Sequence, residues 1–198
     1  LSTCAAMVVT SIKGLYNPQQ MANLYMKYGY RSANNGTYWS AFRFTADVFD
    51  IDYTETVYLD KACELLQKGY YLITGCGNGL FTTGGHFIML YGFDGTYIKV
   101  YDPYLYSGKF NTASRRGKAI VDGNTVLVTK DNFRAYANYG TFFCFKNDRT
   151  DVKENTTDVV ITKEETTEFT NYTAKVTARS GLNARSGAST SYKRLSGY

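Results

Sequence analysis

Apolar side chains in the first third of the chain recur every three or four positions, which is the spacing of one helix face. Within residues 4–12 they place cysteine, alanine, valine and isoleucine on one side. Asn17, followed by Pro18 and by a glutamine at the third helical position, is typical of a helix start. We predict helices over residues 4–12, from Pro18 to a stop at Gly29, after Thr37, and over residues 57–68 with a stop at Gly69.

Alternating apolar and polar positions replace the helical spacing after Gly69. Runs rich in valine, isoleucine, tyrosine and phenylalanine are typical of strands, and short polar segments separate them here. We predict strands over residues 70–74, 86–93, 97–102, 125–129 and 141–146, with a short helix over 130–137. Because the helices come first and the strands second, the sequence predicts an α+β fold rather than alternating α/β units.

The strand that begins at His86 and the strand that ends at Asp102 are expected to form a hairpin around residues 94–96. If the apolar faces of the two strands coincide, the numbers of any two residues paired across them add up to an even number, about 190. Asp102 then lies opposite Ile88, on the same face as His86. A tight two-residue Asp-Gly turn would give an odd sum and separate His86 from Asp102. The apolar pattern favours the even register, so we expect an acid beside the histidine.

The composition narrows the classes of function. The chain has 198 residues, 44% of them apolar, with 1 histidine and 4 cysteines. One histidine and scattered cysteines exclude a histidine-rich metal site and a Cys-x-x-Cys zinc site, so we expect no metal and no cofactor. No apolar run approaches the roughly 18 residues that span a membrane. No helix-turn-helix, RNA-recognition or zinc-finger pattern occurs, so we expect no nucleic acid partner.

Charge divides the chain into three segments. Residues 1–147 are apolar enough to form a folded domain. Residues 148–171 are acidic, rich in threonine and poor in aromatic side chains, which is typical of a linker. Residues 172–198 carry 5 basic and no acidic side chains. This excess is compatible with contact with an anionic polymer, either nucleic acid or a bacterial wall polymer, but charge alone favours a simple solvated surface.

A cysteine near a helix start, His86 on a strand and Asp102 at the end of the next strand form a candidate catalytic set. A thiol at a helix N-terminus beside an imidazolium is held as the reactive thiolate. A third group then orients the ring. A histidine bonded to the backbone and a turn aspartate before Pro103 would explain the same residues without catalysis. Residue types and spacing alone leave both interpretations open.

Two segments carry a resemblance to a known family: LSTCAAMV at the start, and GGHFIMLYGFDG followed by IKVYDPY. They resemble the bacteriocin-processing, or double-glycine, cysteine peptidases, and in particular the secreted members that act on the cell wall. The resemblance covers about residues 1–146 and is most specific from His86 to Pro103. It implies a papain-like fold and a catalytic triad of a cysteine, His86 and Asp102.

The alignment with this family also predicts where the nucleophile lies. Leu1-Ser2-Thr3 aligns with the triplet that follows the catalytic cysteine, so the nucleophile is the residue immediately before Leu1. Cys4 is then a core residue one turn along the same helix. The alternative makes Cys4 itself the nucleophile, because Thr3-Cys4-Ala5-Ala6 loosely resembles the corresponding segment of papain.

Three further residues are candidates for substrate binding: Trp39, and Gly84 and Gly85 just before His86. The glycine-rich residues 75–79 lead into a strand and not into a helix, so we interpret them as a loop that flanks the cleft. We expect the cysteine within this loop to be a passive thiol.

Residues 172–198 resemble the first half of a bacterial SH3-like domain, through the stretches VTA and LNARSG. Half a small barrel cannot bury its own core, so we expect that other residues complete it or that it packs on a neighbour. The two resemblances together imply a hydrolase that cleaves peptide bonds in peptidoglycan, secreted or phage-borne, at the cell wall or outside the cell. The alternatives are a catalytically inactive scaffold that binds wall or peptide, and a protease that processes leader peptides.

Overall fold

Helices and antiparallel strands alternate irregularly in the computed structural model, which describes residues 1–32 and 36–146. The helices of this part of the chain are α1 Ser2–Ile12, α2 Pro18–Lys27, α3 Ala41–Val48, α4 Leu59–Gln67 and α5 Lys130–Tyr136. The helix predicted after Thr37 begins only at Ala41, because residues 38–40 form a turn and an irregular segment before it. None of the described helices is long and apolar enough to cross a membrane.

Local sequence explains where α2 and α4 begin and end. The side chain of Asn17 accepts a hydrogen bond from the backbone N–H of Gln20, and the Gln20 side chain accepts one from the backbone N–H of Asn17, both at 2.9 Å. Gly29 and Gly69 follow the two helices with φ angles of 75° and 82°, a conformation that glycine adopts without strain. The predicted start of α2 and the two predicted stops are confirmed.

Nine strands form two antiparallel sheets within the described residues. The strands are β1 Arg31–Ser32, β2 Gly36–Thr37, β3 Tyr53–Thr56, β4 Tyr70–Cys76, β5 His86–Phe93, β6 Tyr97–Tyr101, β7 Ile120–Asp122, β8 Thr125–Thr129 and β9 Tyr139–Lys146. β1 pairs with β2, and the other seven form one sheet in the order β3-β9-β4-β5-β6-β8-β7. The α+β prediction is confirmed.

Four strands were not predicted: the two edge strands of the large sheet, β3 and β7, and the short pair β1 and β2. β3 has the sequence YTET and β7 is exposed at all three positions. Neither strand buries an alternating apolar face, so the periodic signal that identified the central strands is absent from both.

The two faces of the large sheet bury different apolar clusters. On β5, Phe87 and Met89 contact the cluster formed with α1, α2 and α3, whereas Ile88 and Leu90 belong to the cluster formed with α4 and α5. This alternation follows from the pleat of a strand, in which successive side chains point to opposite faces. His86 is the first residue of β5 and has the parity of Ile88 and Leu90.

A β-bulge sets the register of the hairpin between β5 and β6. Near the turn, Phe93 pairs with Ile98, which is the odd register of a tight turn. The register shifts between Leu90 and Gly92, and beyond this bulge Leu90 pairs with Val100 in the even register. The even register that the apolar pattern favoured is therefore confirmed where it matters, at the end that carries His86.

The predicted linker over residues 148–171 and the predicted SH3-like segment over 172–198 lie outside the described residues. β9 ends at Lys146, the last residue that the structure describes.

Candidate active site

His86 and Asp102 meet where β5 begins and β6 has just ended. Nε2 of His86 lies 2.6 Å from Oδ1 of Asp102, a hydrogen-bond distance. The His86 side chain is 17% exposed and the Asp102 side chain is 0% exposed. The bulge described above permits this contact, because it restores the register in which both residues share a face.

Asp102 has further donors on both of its carboxylate oxygens. The backbone N–H of Tyr104 donates to Oδ1 at 2.9 Å, and the ammonium of Lys109 donates to Oδ2 at 2.5 Å. Lys109 also donates to the carbonyl oxygen of Tyr104 at 3.1 Å, and its side chain is 1% exposed. The carboxylate is therefore buried with two donors on Oδ1 and one on Oδ2.

Lys109 is a site residue that no sequence pattern indicated. It lies in the irregular segment between β6 and β7, among polar and glycine residues, where a lysine is expected to face solvent. No pattern of residue types marks a lysine in such a segment as buried. Only the folding of the segment back over Asp102 reveals its place.

These donors decide the charge of Asp102. Burial by itself would raise the pKa of its carboxyl group, but the hydrogen bonds from His86, Lys109 and the Tyr104 N–H outweigh burial and hold the pKa below its ordinary value. An ionised carboxylate only accepts hydrogen bonds, so Nε2 of His86 carries the proton that it donates. In the neutral ring, Nδ1 is then the nitrogen that can take up a proton.

Cys4, unlike Asp102, has no hydrogen-bond donor that would stabilise its ionised form among the contacts described for its thiol. Cys4 is fully buried on α1, and its thiol donates to the carbonyl oxygen of Phe87 at 3.3 Å. Burial raises the pKa of this thiol to about 12, so it stays protonated at neutral pH. These are the properties of a core thiol. The same contact places the first turn of α1 against β5, next to His86.

Residues 2–120 match the sequence model of the Peptidase_C39 like family. The chain belongs to this family. The relationship is to C39-type cysteine peptidases, and the arrangement of helices on a large antiparallel sheet is compatible with a papain-like peptidase fold. No curated protein matches the chain.

The other cysteines of this C39-like chain are also buried and free. Burial raises the pKa of the Cys63 thiol, and it raises those of Cys76 and Cys144 to about 12. Cys76 is the last residue of β4, and Gly77 and Gly79 after it pass too close to Asn138 and the Tyr136 backbone for a side chain. The glycines of this stretch thus permit close packing of the loop.

The predicted substrate-binding residues lie near the start of β5. Trp39 is 59% exposed, and its ring packs edge-on against Phe87 with ring centroids 6.1 Å apart. Because Phe87 and His86 point to opposite faces of β5, Trp39 adjoins the histidine strand and not the imidazole. Gly84 and Gly85 precede His86 in an exposed loop with open space around them. Their part in substrate binding stays a prediction.

A groove of about 720 Å³ runs between α1 and the end of β6. Thr3 and Met7 of α1 line one side, and Tyr101, Asp102 and Leu105 line the other. The groove joins segments about 100 residues apart in the chain, which is why no local pattern predicts it. Within the described part of the chain, no cluster of side chains could hold a metal ion.

Proposed function

We propose that this protein is a cysteine peptidase that hydrolyses peptide bonds in bacterial cell-wall peptidoglycan. The nucleophile is a cysteine immediately before Leu1, His86 is the general acid and base, and Asp102 orients His86. The observation that carries the proposal is the 2.6 Å contact between Nε2 of His86 and the buried carboxylate of Asp102. A base held by a third group is what thiol activation requires.

The position of α1 supports a nucleophile just before Leu1. Leu1 is the N-cap of α1, so the preceding residue lies at the positive end of the helix dipole, which stabilises a thiolate. One turn further along, Cys4 contacts Phe87, the neighbour of His86. The start of α1 and the imidazole are therefore on adjacent elements. Cys4 itself is buried and protonated, which argues against the alternative nucleophile.

The reaction follows from these roles. The thiolate attacks the carbonyl carbon of the scissile bond, and His86, as imidazolium, gives its proton to the departing amine, which leaves a thioester. Water then attacks the thioester carbon, and its proton passes to Nδ1 of His86. The carboxylic acid departs, and the thiolate and the imidazolium are restored. Throughout, the Asp102 carboxylate accepts the hydrogen bond from Nε2 and fixes the ring.

The substrate class rests on the sequence resemblances. The family resemblance is closest to wall-associated members, and the SH3-like stretch with 5 basic side chains suits an anionic wall. Tethering the catalytic domain to the wall raises the local concentration of its substrate. On this proposal the protein acts outside the cell or at the wall.

Digestion of purified peptidoglycan tests the proposal. The intact protein should release new amino groups, from peptide bonds, without new reducing sugar ends. Asp102→Asn and His86→Ala should abolish most of this release. Asp122→Asn, which changes an exposed aspartate of β7, is the matched control and should leave the release unchanged.

Each alternative gives a different result in the same assay. A leader-peptide protease would cleave a peptide with a double-glycine site and leave peptidoglycan intact. An inactive scaffold would bind the wall and cleave neither substrate. Either result would refute the proposed function.

A further inference from the structure

Lys109 is a buried lysine whose ammonium points at the Asp102 carboxylate. Its side chain is 1% exposed, and Nζ lies 2.5 Å from Oδ2 of Asp102 and 3.1 Å from the carbonyl oxygen of Tyr104. Removing an ammonium group from water is costly unless a counter-charge and hydrogen bonds replace the water. The burial of this lysine therefore indicates that its ammonium has a specific role at the Asp102 carboxylate.

The two oxygens of Asp102 are divided between two partners. Oδ1 faces Nε2 of His86, and Oδ2 faces the ammonium of Lys109. The carboxylate cannot rotate without losing one of these contacts, so Lys109 fixes the direction in which Oδ1 points. His86, Asp102 and Lys109 thus form a continuous hydrogen-bonded row, which runs from the imidazole to the interior of the loop after β6.

We propose that Lys109 is a positioning residue of the active site, which fixes the Asp102 carboxylate and offsets its charge, so that His86 faces a net neutral ion pair. The inference rests on the proposed function for its catalytic meaning. An aspartate without a counter-charge would bind the imidazolium proton more tightly. The paired aspartate orients the ring and still lets His86 release its proton to the departing amine.

The groups that face this row come from several elements. His86 approaches from β5, and Tyr104 and Lys109 come from the loop after β6. Cys4 on α1 and Cys76 on β4 also interact electrostatically with Asp102, and both thiols are protonated.

Aromatic rings surround the ammonium itself, and a guanidinium contacts the Lys109 backbone. The ring centroids of Tyr104, Tyr106 and Phe110 lie 5.5, 5.9 and 6.0 Å from Nζ of Lys109. Nη1 of Arg115 donates to the Lys109 carbonyl oxygen at 3.4 Å, and Arg115 is the second buried positive side chain of this loop. In this part of the structure, Asp102 is the carboxylate that lies within ion-pair distance of Lys109.

The chain has one histidine, so its protonation can be followed without ambiguity. The experiment is an NMR titration of His86 in the full chain, labelled at histidine and made without a histidine tag. Lys109→Met should raise the pH of half-protonation of His86 by about 1 unit or more, because the neighbouring carboxylate loses its counter-charge. Lys118→Met is the matched control, because Lys118 lies in the same loop and its Nζ donates to the Ser114 carbonyl oxygen. It should leave the titration unchanged.

A folded Lys109→Met variant that titrates like the wild type would overturn the inference. A second pair of variants covers the case in which Lys109→Met does not fold. In an Asp102→Asn background, Lys109→Met should raise the melting temperature, because it removes a buried cation that has lost its partner. If Lys109 only holds the loop through Tyr104, the same change should lower the melting temperature in this background too, which would equally overturn the inference.

The titration needs no catalytic activity, so it separates the inference from the proposed function. If the wild-type protein does not hydrolyse peptidoglycan but Lys109→Met shifts the titration of His86, the proposed function is refuted and the effect of Lys109 on His86 is preserved. If the wild-type protein hydrolyses peptidoglycan and Lys109→Met shifts nothing, the inference about Lys109 is refuted and the proposed function is preserved. If both hold, the upper pH limit of kcat/KM should move in Lys109→Met by the same amount as the titration.

Discussion

Asp102 and Cys4 are both buried ionisable groups beside the start of β5, yet burial acts on them with opposite results. Cys4 has one polar partner, the carbonyl oxygen of Phe87, which accepts a hydrogen bond only from the protonated thiol. Burial therefore raises the pKa of the thiol to about 12. Asp102 has donors from His86, Lys109 and the backbone, and these hold the pKa of its carboxyl group below its ordinary value despite burial.

The difference shows that donors and counter-charge, and not depth alone, decide which buried group carries charge. A buried thiol that meets only carbonyl oxygens is inert, whereas a buried carboxylate surrounded by donors remains an anion that can orient a base. Variants of His86, Asp102 and Lys109 should therefore change both catalytic activity and the free energy of unfolding. Variants of Cys4 should change only the free energy of unfolding, and only slightly.

The largest effect is expected from His86→Ala. Loss of the general acid and base should lower kcat/KM for peptidoglycan by about 10²–10⁴-fold. The measurement is the rate of amino-group release, with circular dichroism as the check that the variant is folded. Activity within a few-fold of wild type would show that His86 and the residues hydrogen-bonded in series with it, Asp102 and Lys109, do not serve catalysis.

Asp102→Ala is expected to have the largest effect on stability. It leaves the Lys109 ammonium buried without a counter-charge, so the free energy of unfolding should fall by about 3–5 kcal/mol. Urea denaturation measures this change. Asp122→Ala, at an exposed position of β7, should change the free energy of unfolding by less than about 0.5 kcal/mol. Equal effects of the two variants would contradict the assignment of a buried ion pair.

The loss of unfolding free energy at acid pH should also depend on Asp102. Because the pKa of Asp102 is lower in the folded protein, its contribution is present above the unfolded pKa of about 3.9 and is lost as the pH falls through the folded pKa. Asp102→Asn should therefore flatten the decline of the unfolding free energy below about pH 4. Denaturation curves between neutral pH and about pH 2 measure it. An unchanged slope would place the titrating group elsewhere.

The smallest effect is expected from Cys4→Ala. Its thiol makes one hydrogen bond in a packed core, so the free energy of unfolding should fall by about 1 kcal/mol and peptidase activity should persist. Activity and urea denaturation are measured on the same preparation. Complete loss of activity in a folded Cys4→Ala variant would make Cys4 the nucleophile and reverse the comparison.

Local signals predicted the parts of the fold that local chemistry determines. The capping residues around Asn17 and the stop glycines predicted α2, and alternation predicted the central strands. The register of the β5–β6 hairpin followed from matching apolar faces, although the bulge near Tyr91 that reconciles it with a tight turn was not foreseen. The edge strands lacked a buried face and gave no signal.

The candidate site was predictable only in part, for a physical reason. His86 and Asp102 lie on paired strands, so their contact could be argued from register. Lys109 reaches Asp102 because an irregular loop folds back over it, and no periodicity describes such a loop. The groove beside α1 depends on contacts between distant segments in the same way.

Alkylation of the intact gene product tests the central claim most directly. A small excess of iodoacetamide is added, and the modified cysteines are mapped by mass spectrometry over time. The account predicts fast labelling of a cysteine immediately before Leu1, lost in His86→Ala, with slow labelling of the four buried thiols. Fast labelling of Cys4, or equally slow labelling of every thiol, would contradict it.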